Sequence, residues 1–122
     1  MSIEQRRFPR VRTDFGVEFK IKDSDSPPIK AVGVNISEGG IMMRVSEKLA
    51  AETLLEVKIV MPPPYGTVHT LARLVYILKS RLDEYPAYGC GVEFIELKEE
   101  DRERVRNFVN EEINKLDWKR WL

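Results

Sequence analysis

Six successive stretches of this chain alternate apolar and polar residues with a period of two, and only the C-terminal segment changes to helical spacing. That succession restricts the chain to a mainly β fold with one appended helix. Phe15, Val17, Phe19 and Ile21 alternate with Asp14, Gly16, Glu18 and Lys20, and Asp23-Ser24-Asp25-Ser26-Pro27-Pro28 reads as the turn that follows. Val32, Val34 and Ile36 are predicted on one face of a second strand; after a polar bend from Asn35 to Gly40, Ile41, Met43 and Val45 resume the alternation in a third. Leu55, Val57, Ile59 and Met61 mark a fourth strand, closed by Pro62-Pro63-Pro64-Tyr65-Gly66, which cannot continue a ladder. A long fifth strand is expected from about Val68 to Leu78, and beyond Asp83-Glu84-Tyr85-Pro86 the residues Tyr88, Cys90, Val92 and Phe94 define a sixth. Six strands separated by turn signals suggest a small barrel or a sandwich. From Glu99 onward Val105, Phe108, Val109, Ile113 and Leu116 fall at helical spacing. Their stripe is expected to pack on the strands rather than bind a free partner, because monomers rarely expose large apolar patches, with Trp118 and Trp121 capping that packing or extending past it.

Composition excludes several classes of function. At 122 residues, 43% hydrophobic and 33% charged, the chain has the balance of one globular domain. Its uncharged run from Ile59 to Ala72 is broken by Pro, Gly and His and falls short of the roughly 20 apolar residues a membrane span requires. No membrane insertion is expected. The first residues, Met1 to Arg7, carry no apolar run of the secretory type, which makes the cytoplasm the expected compartment. One cysteine and one histidine leave neither a disulfide framework nor a zinc site within reach. Catalysis is equally poorly served, with no nucleophile elbow, Walker loop or paired-histidine motif. His69 reads as an ordinary strand imidazole, and Cys90, on the apolar alternation between Gly89 and Gly91, as a buried small hydrophobe.

With 20 basic and 20 acidic residues the formal charge is zero, so long nucleic acids gain no bulk attraction and any anion site must be local. A local excess exists where Arg6, Arg7, Arg10 and Arg12 crowd one short segment against the single carboxylate of Glu4. All four are Arg, which favours planar bidentate and stacking contacts over diffuse attraction. Arg6 and Arg10 stand four apart with Pro9 stiffening the chain between them, and such forks suit phosphate oxygens or the O6/N7 edge of guanine. A second stretch, Asn35-Ile36-Ser37-Glu38-Gly39-Gly40, places Asn35 and Ser37 on one strand face, away from Val34 and Ile36. Gly39 and Gly40 would permit positive φ and a close approach of ligand to the backbone amides. Alone, this stretch also fits an ordinary tight turn in which Asn and Ser satisfy their own backbone.

Together the two stretches resemble the hallmarks of the PilZ domain, an R-x-x-x-R segment before a six-stranded barrel and a [D/N]-x-S-x-x-G turn about one strand later. The late Tyr88-Gly89-Cys90-Gly91-Val92-Glu93-Phe94 resembles the family's glycine-containing final strand, and the similarity covers nearly the whole chain. The resemblance implies a six-stranded antiparallel β-barrel over 13–96, an Arg-rich ligand-binding segment over 1–12 and a C-terminal helix over 98–120, in a receptor for cyclic di-GMP that is not an enzyme and needs no cofactor or metal. Arg6 and Arg10 would then grip guanine edges and phosphates. Asn35 and Ser37 would hydrogen-bond a base or the phosphate-ribose ring, and Gly40 would keep the bend open. Gln5, Arg7 and Gly39 are further contacts, with Arg12 and Arg44 ranked below them; Gln5 holds the position that in this family influences whether one nucleotide or a stacked pair is bound. Asn at position 35 replaces the commoner Asp and exchanges an acceptor-only carboxylate for an amide that both donates and accepts.

The dianionic ligand is expected to bridge the mutually repelling arginines to the barrel face and order the segment. The ordered surface would relay the signal to a downstream protein partner in motility, adhesion or exopolysaccharide control, and the chain could form a homodimer. Two other readings compete: a barrel of the same fold that binds proteins and no nucleotide, and a single-stranded RNA binder. The intact pair of motifs opposes the first, and the separation of the arginines from aromatics other than Phe8 opposes the second.

Overall fold

Every alternating run predicted from the sequence forms a strand, and the six strands close on themselves. The computed structural model describes residues 10–79 and 88–119. Strands β1 (Val11–Ile21), β2 (Ile29–Ser37), β3 (Gly40–Val45), β4 (Leu54–Val60), β5 (Thr67–Lys79) and β6 (Tyr88–Phe94) precede helix α1 (Glu99–Lys119). They form a closed barrel in the order β1-β2-β3-β6-β5-β4, all neighbours antiparallel. Closure decides between barrel and sandwich, and it removes the free edges on which an open sheet would aggregate. Inside, Phe19, Ile36, Met43, Leu55, Ile59 and Leu74 are at most 1% exposed. Each such burial contributes about 1.5–3 kcal/mol.

The register also explains why two motifs distant in sequence become neighbours. β1 runs antiparallel to β2 with Val11 opposite Ile36 and Arg12 opposite Asn35. Arg10, where the described chain begins, therefore leads into the barrel beside the end of β2, where the bend begins. β1 starts at Val11, two residues before the expected boundary, so Arg12 belongs to the strand.

Besides a shift in the β1–β2 register between Arg12 and Phe15, strict alternation fails in two further places, both with a physical cause. Gly33 pairs with Met43 and Asn35 with Met42, so Val34 is an extra residue that bulges from the β2–β3 ladder. Before the bulge Ala31 and Gly33 face inward, and the ring of Phe15 fills the space over Gly33 that a Cβ would occupy. Val32 consequently points outward at 53% exposure, contrary to its predicted place beside Val34 and Ile36. A second bulge lies in β5, where Leu74 pairs with Val92 and Tyr76 with Gly91, leaving Val75 unmatched. Val68, Thr70, Ala72 and Leu74 are buried in alternation, after which Val75 and Tyr76 are both exposed and Ile77 turns back toward the core. Such bulges bend a strand and re-aim the side chains beyond them.

Helix α1 packs on the barrel. Val105, Phe108 and Val109 are buried, Ile113 lies against the same core, and the Tyr65 and Phe108 rings meet with centroids 5.4 Å apart. Glu99, Glu100 and Asp101 in its first turn complement the positive end of the helix dipole. The side chains of Leu116 and Trp118, and all of Trp121, lie outside the described residues.

Candidate functional site: a cleft across β2, β3, β6 and β5

The bend between β2 and β3 is held by its own serine. Ser37 Oγ accepts the Gly39 N–H at 3.1 Å and faces the Gly40 carbonyl at 3.5 Å, while the Gly39 carbonyl accepts the Phe94 N–H at 2.9 Å. Ser37 is buried, so its hydroxyl first serves the turn, as Ser commonly does in such bends. Neither Gly39 nor Gly40 adopts positive φ; among the described glycines only Gly66 does. The expectation that these glycines supply left-handed backbone is thereby corrected. Gly40 is required for a different reason, since a Cβ there would strike the Val92 carbonyl oxygen and Glu93 backbone of β6.

Glu38, at the tip, turns toward the helix. Its Oε1 accepts hydrogen bonds from Arg106 Nε at 3.2 Å and Nη2 at 3.0 Å, and its side chain is only 12% exposed. Hydrogen bonding to Glu38 and its charge raise the Arg106 pKa further above its ordinary value. The bend is thus tied to α1 by an ion pair that the sequence did not reveal.

Beside the bend lies an open cleft of about 550 Å³. Arg10, Asn35, Ser37, Gly39 and Gly40 all line it, so five of the predicted site residues converge. Arg6, with the lower-ranked Gln5 and Arg7, lies outside the described residues. Asn35 Nδ2 donates to Met42 Sδ at 3.6 Å, and its amide oxygen takes no hydrogen bond from a described residue. Arg44 sits apart, in an adjoining hollow of about 390 Å³ that shares Asn35 and Met42 with the cleft.

Four polar lining residues are not candidates from the sequence: Tyr76, Glu38, Glu93 and Arg102. Tyr76 is 38% exposed, and its ring lies over Gly91 in the place a Cβ would take. Glu93 hydrogen-bonds Arg73 Nη2, whose Nη1 reaches Glu52 at 3.4 Å. Arg102 Nε is 3.9 Å from Glu99 on the helix. A bare alternation assigns Tyr76 to the interior, and only the β5 bulge turns it outward. The other three are charged residues without a sequence signal of their own.

The remaining candidate groups have structural surroundings. Cys90 is fully buried on β6, and burial pushes its thiol up to about 11, which disfavours the reactive thiolate. His69 is exposed on β5 opposite Lys58, on another wall of the barrel. Among the described residues no three His, Cys, Asp or Glu side chains converge to hold a metal ion, and no helix is long and apolar enough to cross a membrane.

Comparison with known proteins agrees with this architecture. The PilZ domain family matches residues 4–111, and the chain belongs to that family. No curated protein matches the sequence. Among solved structures, the PilZ domain of YcgR from Escherichia coli with c-di-GMP superposes with a TM-score of 0.74 at 14% identity, over 94% of this chain and 96% of that one. MrkH of K. pneumonia in complex with c-di-GMP gives 0.78 at 20% identity, covering 96% of this chain and 55% of that one. The Bacillus subtilis inhibitor of motility MotI/DgrA gives 0.73 at 20% identity, covering 93% and 53%. The chain thus spans about half the length of MrkH and of MotI/DgrA.

Proposed function

We propose that this chain is a cytoplasmic receptor for cyclic di-GMP and acts through its contacts with another protein rather than by catalysis. The observation that carries the reading is the convergence of Arg10, Asn35, Ser37, Gly39 and Gly40 on one cleft, although the sequence separates Arg10 from the others by a full strand and a turn. Membership of the PilZ family and the c-di-GMP complexes of YcgR and MrkH support the same ligand.

In this reading Arg6 and Arg10 bind guanine edges and phosphates through bidentate forks, with Gln5 and Arg7 as neighbouring contacts. Asn35 offers its free amide oxygen to the N–H groups of a guanine. Ser37 acts mainly by fixing the bend, and Gly40 by letting the bend sit against β6. Ligand binding holds the Arg-rich segment against the barrel. Charge-assisted hydrogen bonds of about 1.5–3 kcal/mol each offset an ordering cost of about 1–2 kcal/mol per residue, which is compatible with micromolar affinity. The surface so formed engages a downstream partner in motility, adhesion or exopolysaccharide control; MotI/DgrA is described as an inhibitor of motility.

Isothermal titration of the full chain with cyclic di-GMP tests the reading, beside Arg10→Ala and a GTP control. Micromolar or tighter binding is expected, weakened about tenfold to a hundredfold by Arg10→Ala and not reproduced by GTP. The same titration counts the bound nucleotides. No heat at millimolar ligand would transfer the reading to a protein-interaction barrel. Unchanged affinity after deletion of residues 1–9 would overturn the role of the Arg-rich segment.

A further inference from the structure

Tyr76 is the aromatic side chain that the fold has moved into the cleft. By alternation along β5, Tyr76 should share the interior with Val68, Ala72 and Leu74, all at most 1% exposed. The extra residue Val75 reverses the phase and turns Tyr76 out, at the height of the cleft. Opposite it on β6 stands Gly91, where a Cβ would collide with Cδ1, Cε1 and Cζ of the ring. The ring therefore lies down on the β6 backbone, one face covered and the other toward the cleft. Along the same line of the sheet the register runs from Tyr76 to Gly91, Met42 and Asn35. Asn35 reaches Met42 on β3 and Tyr76 reaches over Gly91 on β6, so both side chains lie over the strands that separate them and line the same cleft.

We propose that Tyr76 is the stacking platform for a guanine base of the cyclic dinucleotide, a contact that neither sequence motif supplies. The inference rests on the receptor reading above. A base laid on the open face of the ring has its plane parallel to the sheet, in the cleft that Asn35 also lines. Arg10, on the same cleft, is left for the phosphates or the opposite base edge. The ring is held before ligand arrives, so stacking immobilises little that was free. Stacking on an aromatic is tolerant of base identity, which assigns affinity to Tyr76 and discrimination to Asn35 and the arginines.

Cyclic di-GMP titrations of the wild-type chain, Tyr76→Phe, Tyr76→Leu and Arg10→Ala test the proposal, together with intermolecular NOEs between guanine H8 and the Tyr76 ring protons in the wild-type complex. The expected result is about tenfold to a hundredfold weaker binding for Tyr76→Leu. Tyr76→Phe should stay within about threefold of wild type, and the NOE should be present. Wild-type affinity in Tyr76→Leu without the NOE overturns the stacking role while leaving the receptor reading intact, provided Arg10→Ala is still impaired. A loss in Tyr76→Phe equal to that in Tyr76→Leu also overturns it, because the hydroxyl and not the ring would then be responsible. If Tyr76→Leu fails to fold, the wild-type NOE decides alone. Absence of binding by the wild type itself overturns both readings, and that arm separates the two failures.

Discussion

The wall of the barrel built from β1, β4 and β5 and the wall built from β2, β3, β6 and the far half of β5 share one ladder geometry and use it differently. On the first, the register is unbroken and sets Glu18 beside Lys58 and His69, and Lys20 beside Glu56 and Leu71. Its charges answer one another, with Lys58 Nζ 3.8 Å from Glu18 and Lys20 Nζ 3.5 Å from Glu56. On the second, bulges at Val34 and Val75 break the register, and the outward positions carry Asn35, Met42, Tyr76 and the small residues Gly89 and Gly91. A regular ladder with paired charges sets its polar groups against one another, around a hollow of about 580 Å³ lined by Glu18, Lys20, Glu56, Lys58 and His69. The interrupted ladder instead gathers glycines, an amide oxygen that takes no hydrogen bond from a described residue, and the exposed ring of Tyr76. Family-specific binding is therefore expected to depend on the broken wall, and mutations should separate the two.

The largest separation is expected from glycine substitutions. Gly40→Ala drives a methyl group into the Val92 carbonyl, which is backbone and cannot swing away. A loss of about 2–3 kcal/mol follows from overpacking of this kind, and cyclic di-GMP binding should fall with it. Gly16 on the regular wall has only Val60 within ordinary contact, its Cβ 3.5 Å and its Cγ2 4.0 Å from the added methyl, so Gly16→Ala should change stability by no more than about 0.5 kcal/mol. Urea denaturation of the two variants measures both. Equal losses would show that the walls do not differ in how closely the strands approach.

How far the sequence revealed this contrast follows from which signals are local. Period-two patterning identified all six strands, and the helical stripe placed Val105, Phe108 and Val109 against the core. The motif pair pointed to Arg10, Asn35 and Ser37, chemically conspicuous residues at fixed spacing, and the fold brings these three to one cleft. What escaped was whatever a bulge decides. One inserted residue reverses the facing of everything after it, and no composition signal distinguishes Val34 or Val75 from its neighbours. Val32 was assigned inward and is exposed; Tyr76 gave no sign of facing the cleft and does. The Glu38–Arg106 pair joins residues 68 apart in sequence, a distance at which patterning carries no information. Local sequence suggests backbone freedom as the purpose of Gly40, because the strand that crowds it, β6, lies far along the chain.

Cys90 gives the broken wall a dependence on alkaline pH. Burial raises its thiol from 9.0 to about 11, so the folded barrel keeps a proton that the unfolded chain begins to release near pH 9. A group raised in this way contributes stability that is full below about pH 9 and is lost as pH rises toward 11. Thermal midpoints between pH 7 and 11 should fall more steeply for the wild type than for Cys90→Ala. Native protein at pH 8 should also resist alkylation by iodoacetamide until it is unfolded. Rapid modification of the native state would remove the assignment of Cys90 to the core.

The smallest expected effects come from ion pairs, and there the contrast becomes a difference of burial. Arg106→Ala leaves Glu38, 12% exposed, with a carboxylate beside the cleft and no fork to accept from, and stability should fall. An unpaired anion there also opposes a dianionic ligand, so affinity should fall in the same variant. Lys58→Ala breaks a pair whose members are 42% and 35% exposed, and exposed pairs of this kind are worth about 0–1 kcal/mol. Chemical denaturation at low and at 0.5 M salt (roughly twofold shorter screening than at 0.1 M) should leave the Arg106→Ala deficit largely in place and erase most of the Lys58→Ala deficit. Were both deficits to vanish together with salt, Glu38 and Arg106 would be one more solvated pair, and the bend would owe its position to Ser37 and the β6 backbone alone.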